Sequence, residues 1–319
     1  MSLAADALQP MTVQALFGMS GRTPPCNLPD VITSGRGAGF DLEFDGATKA
    51  VGIDFREPIY IGETIGGDAL RFAGAAFTSV FNIDAAVEER ESVAWAMVRL
   101  YYAAFYAGHA VLRLLGQSCS HLETGHIARL KQLAAAIGAP PPFAISSGLY
   151  HCTMNAAQTG LKMVRARGSV GGTHETFWEV FDAFLASTTE AVLLGHLAPA
   201  DARAVFLKLE SYRSILRLFG GGAAWLSRMR NDIQYRQDHG VWMPPSVNKS
   251  SRDQLARLAM QWSRDPMAVD IEILGAASLK HFVAGCVFPI ALCRALLTRI
   301  SERSSAAAPK FGAAALALC

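Results

Sequence analysis

The stretch VRLYYAAFYAGHAVLRLLG, Val98 to Gly116, decides the fold. Tyr101, Ala104, Phe105, Ala110 and Leu112 are set along a helix that carries small residues on adjacent turns. Small side chains let a second helix approach closely, and aromatic rings fill the space beside them. Gly116 stands where a helix usually stops. The segment therefore reads as the central helix of a tightly packed bundle, running from Ser92 to Leu115 behind the acidic lead-in Glu88 to Glu91.

Toward the C-terminus the helical period persists, and helices are expected at His121 to Ile137, Ala156 to Arg167, Thr173 to Leu194, Pro199 to Phe219, Ala223 to His239, Ser251 to Ser263 and Ala276 to Ser301. Breaks fall at Gly138 to Pro142 and Gly168 to Gly172, and the Ala-rich tail after Ser304 is expected to fray. Toward the N-terminus the pattern alternates instead. Phe40 to Asp45, Ala50 to Phe55 and Ile59 to Ile61 read as a small β-meander with one wet, acidic face. The expected fold class is mainly α: an N-terminal β-containing, acidic segment over 1–84, a helical domain with extra helices over 85–304, and a tail over 305–319.

Composition supports a folded chain, since 319 residues with 51% hydrophobic and 18% charged side chains can bury a sizeable core. Net charge is only +2, but it is unevenly spread. Phe40 to Trp95 holds four Lys/Arg against eleven Asp/Glu, a net of −7, whereas Asp201 to Arg264 holds eleven against five, a net of +6. The acidic part is thus a candidate docking surface for a protein partner or for the basic half, and the basic half a candidate for RNA. The six cysteines show no CxxC pair and no histidine spaced to complete a zinc site, so no metal is expected and the thiols read as reduced and cytoplasmic. Met1 to Pro10 contains Asp6 and polar breaks, so no secretory signal sequence is expected there. The apolar run Phe282 to Leu297 is shorter than a bilayer span and contains Pro289 and Arg294, so no membrane crossing is expected. The glycines of Ser34 to Gly39 lack the strand before and the helix after that a phosphate-cradling loop requires, and no cofactor is expected.

The chemistry-bearing stretch is RMRNDIQYRQDH, Arg228 to His239. On a helix it places Ser227, Asn231, Tyr235 and His239 on one stripe, with Arg228, Asp232 and Arg236 on the next. The second stripe can pair with itself. Arg230 lies between the two, and a guanidinium there can grip two phosphate oxygens and stabilise added negative charge. Arg213 and Arg217 near Tyr212, and Arg252, Arg257 and Arg264 near Trp262, have the basic and aromatic mixture that suits RNA.

Arg99-Leu-Tyr-Tyr-Ala-Ala-Phe105 together with Arg230-Asn231 resembles the HEPN (higher eukaryotes and prokaryotes nucleotide-binding) superfamily, whose early helix carries an Arg-x-Tyr-Tyr-Ala-Ala-Phe pattern. A later helix of that family carries Arg, a polar residue and then His after four to six intervening positions. The resemblance covers two segments in the same order and a helical context. It implies a HEPN-like bundle, a homodimer that pairs its motif helices, and metal-independent endoribonuclease activity or RNA binding on single-stranded RNA or tRNA, in a defence or toxin-antitoxin setting. It also implies catalytic roles for Arg230, Asn231, Tyr235 and His239, and RNA contacts from Arg99, Arg228, Arg236, Arg213 and Arg217. Tyr235 occupies the place of the family's His, and His239 lies beyond the usual window. A tyrosine is a poor base at neutral pH but donates hydrogen bonds and stacks on bases, so cleavage, binding without cleavage and a non-catalytic partner subunit all stay open.

Overall fold

The computed structural model describes residues 2–21, 27–34, 40–88, 93–166, 172–220, 222–242, 247–272, 275, 278–305 and 308–319. Residues 35–39 of the glycine run lie outside them, as does the expected break Gly168 to Gly172 apart from Gly172 itself. The chain is mainly helical, with one five-stranded antiparallel sheet.

The central helix is α5, Val93–Leu114, preceded by α1 (Leu3–Leu8), α2 (Leu28–Ser34), β1 (Phe40–Asp45), β2 (Ala50–Phe55), α3 (Pro58–Val80) and α4 (Ile83–Glu88). Its partner α3 corrects one expectation, because Ile59 to Ile61 is the first turn of this helix and not a third strand. The reason lies just downstream, where Gly62, Gly66, Ala69, Ala73 and Ala76 recur every three or four residues. Pro58, at the first helical position, costs the helix no hydrogen bond. Ala69, Ala73 and Ala76 are fully buried, as are Ala103, Ala107 and Ala110 of α5, so the two helices meet backbone to backbone.

Three strands lie inside the region expected to be helical. After Gly116, in the left-handed region at φ 74°, the chain forms β3 (Gln117–Leu122), then α6 (Thr124–Ala136), β4 (Gly148–Met154) and β5 (Gly160–Arg165). The sheet order is β1-β2-β5-β4-β3. The helix expected over Ala156 to Arg167 is therefore a strand. The turn before it is set by Asn155, whose side-chain carbonyl accepts from the Thr159 backbone N–H at 2.9 Å, and β5 then pairs with β2 far back in the chain. Gly160 is required there, because a Cβ would lie 2.1 Å from Asp54 Oδ1. The boundary expected at residue 84 falls within α4, and the sheet draws strands from both sides of it. Its acidic residues form surface pairs within the sheet region, Asp41 with Arg56 and Asp45 with Lys162.

Beyond the sheet run α7 (Thr173–Leu193), α8 (Pro199–Leu216), α9 (Trp225–Asn231), α10 (Lys249–Ala259), α11 (Leu279–Arg303) and α12 (Ala313–Leu316). By length and composition α11 could cross a membrane, but most of its apolar window is buried inside the molecule against neighbours that include α5. The tail is held as well. Phe311 is fully buried, and α12 packs on α3, which corrects the expectation of fraying.

The approach of α5 to α7 is set by Gly108, where an added Cβ would stand 2.8 Å from Phe177 Cζ. Phe177 is fully buried and has nowhere to retreat. Gly108→Val is therefore expected to cost about 1–3 kcal/mol through overpacking, more than the better helix propensity returns. A thermal unfolding midpoint equal to that of the wild type would show that the two helices can separate freely.

Candidate functional site

The stretch from Arg228 to His239 is not one helix. After α9 the chain widens into a π-turn over Asp232–Arg236, and Gln237 adopts the left-handed conformation at φ 57°. The Gln237 N–H reaches back to Asp232 O, and the Trp242 indole N–H donates to Ile233 O at 2.5 Å, so carbonyls that a longer helix would have used are already occupied. His239, itself at φ 69° and exposed, follows the break. This corrects the expected stripe: the helical spacing from Ser227 ends at Tyr235 and does not carry His239.

Arg230 is only 6% exposed. Its guanidinium carbon lies 5.1 Å from the ring centre of Tyr101, 5.7 Å from that of Tyr102 and 5.9 Å from that of Tyr235. One terminal nitrogen donates to Gln234 Oε1 at 3.3 Å, whereas the buried Nε has no hydrogen-bond partner among the described residues. Among those residues no carboxylate forms an ion pair with Arg230, although other buried arginines have one. The two sequence segments singled out at the start thus meet: Tyr101 and Tyr102 of α5 cover the arginine of α9.

Behind them lies a hydrogen-bonded cluster that the sequence reading missed. The Trp178 indole N–H of α7 donates to Tyr101 Oη at 3.2 Å, and His174 Nδ1 lies 3.0 Å from the same oxygen. His174 stacks on Phe105 with ring centres 4.2 Å apart and meets Tyr102 edge-on at 5.8 Å. Burial pushes the Tyr101 phenol up to about 12, against the pull of hydrogen bonds from Trp178 and Ser227 and the charge of Arg230, so it keeps its proton. Burial, and then the Arg230 charge, bring His174 down to about 4, so its ring is neutral at physiological pH. Nothing in the spacing ties His174 to Arg230. The only local signal is a polar histidine in the first turn of a helix rich in Phe and Trp.

The remaining candidates are placed elsewhere or held by partners. Asn231 is half-buried at the end of α9, and Tyr235 is 69% exposed. Arg236 pairs with Asp232 at 3.0 Å, but Arg228 donates instead to Gly220 O at 2.9 Å, so the Arg-Asp-Arg row is half formed. Arg99 donates to Phe81 O at 2.8 Å, just past the end of α3. Arg213 and Arg217 both grip the buried Asp182 of α7, each with Nε at 3.0 Å, and Arg213 also pairs with Glu210. The basic surplus of this region is thus partly neutralised by α7 and by α8 itself. Arg257 and Arg264 line a separate cleft of about 640 Å³ with Lys280, but Asp84 and Asp270 share its wall. Among the described residues no group of His, Cys, Asp and Glu is arranged to hold a metal ion.

These observations define a mainly helical protein with an antiparallel sheet and, on α9 against the central helix, a buried arginine that faces tyrosines and has no ion-paired carboxylate among the described residues. No family model, no curated protein and no solved structure matches the chain.

Proposed function

We propose that the protein binds RNA at Arg230, with the exposed ring of Tyr235 and the half-buried ring of Tyr102 as stacking surfaces for bases. One observation carries this reading. A buried guanidinium whose Nε has no partner, and which has no carboxylate, among the described residues is costly to desolvate, and an anionic ligand is the group that would offset that cost. A phosphate oxygen suits the guanidinium, and the neighbouring aromatic faces suit single-stranded bases. The meeting of Arg230 with Tyr101 and Tyr102 also supports the HEPN-like reading, since the resemblance rests on those two segments. The π-turn agrees with a functional role, because such turns recur at ligand sites.

The test is titration of labelled single-stranded RNA into wild type and Arg230→Gln in EDTA, followed for both binding and cleavage. Arg230→Gln is expected to lose about 10- to 100-fold in affinity, the worth of a hydrogen bond to a charged group. Its melting temperature is expected to stay level or rise, because an uncompensated buried charge has been removed. A variant that binds RNA as well as the wild type sinks the proposal. Cleavage that disappears with Arg230 makes the protein a metal-independent nuclease, and a shift without cleavage makes it a binding module.

A second reading, a partner subunit for another protein, is favoured by β1: it lies at the edge of the sheet and, among the described residues, pairs only with β2. Absence of any RNA signal, together with mixed complexes blocked by acidic-to-neutral changes at Asp41 and Glu43, would select it.

A further inference from the structure

We propose that His174 and Arg230 form a two-point site for a phosphate oxyanion, in which His174 donates through Nε2–H. The inference rests on the RNA reading for its source of phosphate but not for its geometry. Tyr101 Oη accepts from the Trp178 indole, which can only donate, and also interacts with the Arg230 guanidinium, which likewise can only donate. The Ser227 hydroxyl, which also hydrogen-bonds this phenol, can give or take a proton; in the proposed arrangement Ser227 donates, and the one phenolic proton is directed at His174 Nδ1, 3.0 Å away. That makes Nδ1 an acceptor and leaves the ring proton on Nε2. Nδ1 is turned toward the buried phenol, so Nε2, across the ring, is turned away from it.

Three features then favour an anion beside Tyr102, whose ring centre lies 5.8 Å from that of His174 and 5.7 Å from the Arg230 guanidinium carbon. The first is Arg230, 94% buried on the same scale that gives 6% exposure, with its Nε unpartnered. The second is the Nε2–H of His174. The third is the positive end of the 21-residue helix α7, in whose first turn His174 stands. Together they supply directed donors and positive potential without an ion-paired carboxylate on Arg230 among the described residues.

The charged and titratable groups around His174 decide how it responds. From α5 these are Tyr101, Tyr102 and, two turns on, His109; from α9, Arg230; from α7 itself, the adjacent Glu175. Arg230 is the group whose charge opposes protonation of His174. An anion bound between them screens that charge and adds attraction of its own, so occupancy raises the affinity of His174 for a proton. By the same linkage, the anion binds more tightly as the pH falls toward the bound-state titration point.

The experiment compares wild type, Arg230→Gln, His174→Gln and His174→Phe, using inorganic phosphate and a short labelled single-stranded RNA as separate probes. Ring-nitrogen NMR of the free wild type is expected to show the Nε2–H tautomer at His174. Saturating phosphate should move the His174 titration up by about one unit or more, equivalent to tenfold tighter anion binding by the protonated ring, and Arg230→Gln should abolish the movement. Glutamine at position 174 keeps an N–H donor and should bind RNA within about threefold of wild type, whereas phenylalanine keeps the stack on Phe105 but should lose about tenfold. A His174 titration unmoved by phosphate, or His174→Phe binding RNA like the wild type, overturns the proposal. RNA binding that needs Arg230 but not His174 leaves the RNA reading standing and removes this site. A phosphate-dependent movement of His174 with no RNA binding does the reverse: the oxyanion site stands and the RNA reading fails.

Discussion

Asp68→Ala is expected to lower the free energy of unfolding by about 3–5 kcal/mol, the usual loss when one member of a buried ion pair is removed. Asp68 of α3 and Arg113 of α5 have side chains only 6% and 3% exposed, and Arg113 Nε donates to Asp68 Oδ2 at 2.5 Å. The rest of the guanidinium is already used. It donates to His109 O at 3.1 Å and to Cys119 O of β3 at 3.3 Å, and it lies 4.4 Å from the ring centre of Phe72. One cation therefore ties α3, α5 and the sheet together, and alanine at 68 would strand it without a counter-charge. Arg71, which also grips Asp68, is more than half exposed and can turn to water, so Arg113 bears the loss. Asp68→Leu combined with Arg113→Met is expected to recover most of the stability, because the cost comes from the stranded charge and not from the missing attraction. Urea denaturation of the three proteins checks this. A single variant within about 1 kcal/mol of wild type would show that water reaches Arg113.

The same network shows what was legible in the sequence. The helical period of Val98 to Gly116 identifies the buried central helix, and the α7, α8 and α11 segments are readable because each keeps an apolar stripe over many turns. The strands β3, β4 and β5 were not readable. Each is six or seven residues long, and β5 is fixed by pairing with β2, which no local window contains. Ile59 to Ile61 failed for the opposite reason: three residues of β-type sequence sit at the front of a helix whose register is set by the glycines and alanines behind them. At the candidate site, Arg230 is legible as a candidate phosphate contact, whereas its burial under Tyr101 and Tyr102 is decided by packing between α9 and α5. His174 was not legible, because only the packing of α7 on α5 and α9 brings it to Tyr101. His239 was misplaced because a π-turn and a left-handed glutamine are decided by tertiary hydrogen bonds such as that from Trp242.

The fold is also expected to be acid-sensitive, losing stability as the pH falls below about 6.5, and two histidines of the aromatic cluster carry the effect. His109 is stacked between Phe72, with ring centres 4.7 Å apart, and Phe177, at 4.1 Å. Its Nδ1 lies 3.2 Å from an Arg113 N–H, so this nitrogen accepts and the ring is neutral. Burial first, and then the Arg113 charge, hold its titration well below the ordinary histidine value, and His174 is brought down to about 4 for similar reasons. Both groups have depressed folded-state values. The unfolded chain therefore binds more protons between the two limits, and the stability each group contributes is fully present above about 6.5 and is lost as pH falls toward the folded value. The steepest contribution of one such histidine is about 1.4 kcal/mol per pH unit. His109 should approach it, and half-buried His174 should fall short because solvent screens its cost. His109→Gln keeps an acceptor for Arg113 but cannot take up a proton, so it should flatten the dependence of the urea midpoint on pH in the part of the window nearest neutrality. Identical slopes in the variant and the wild type would mean that His109 is protonated within the fold. A cation would then share the Phe72–Phe177 sandwich with Arg113 close by, and the neutral, acceptor role derived for its Nδ1 would have to be abandoned.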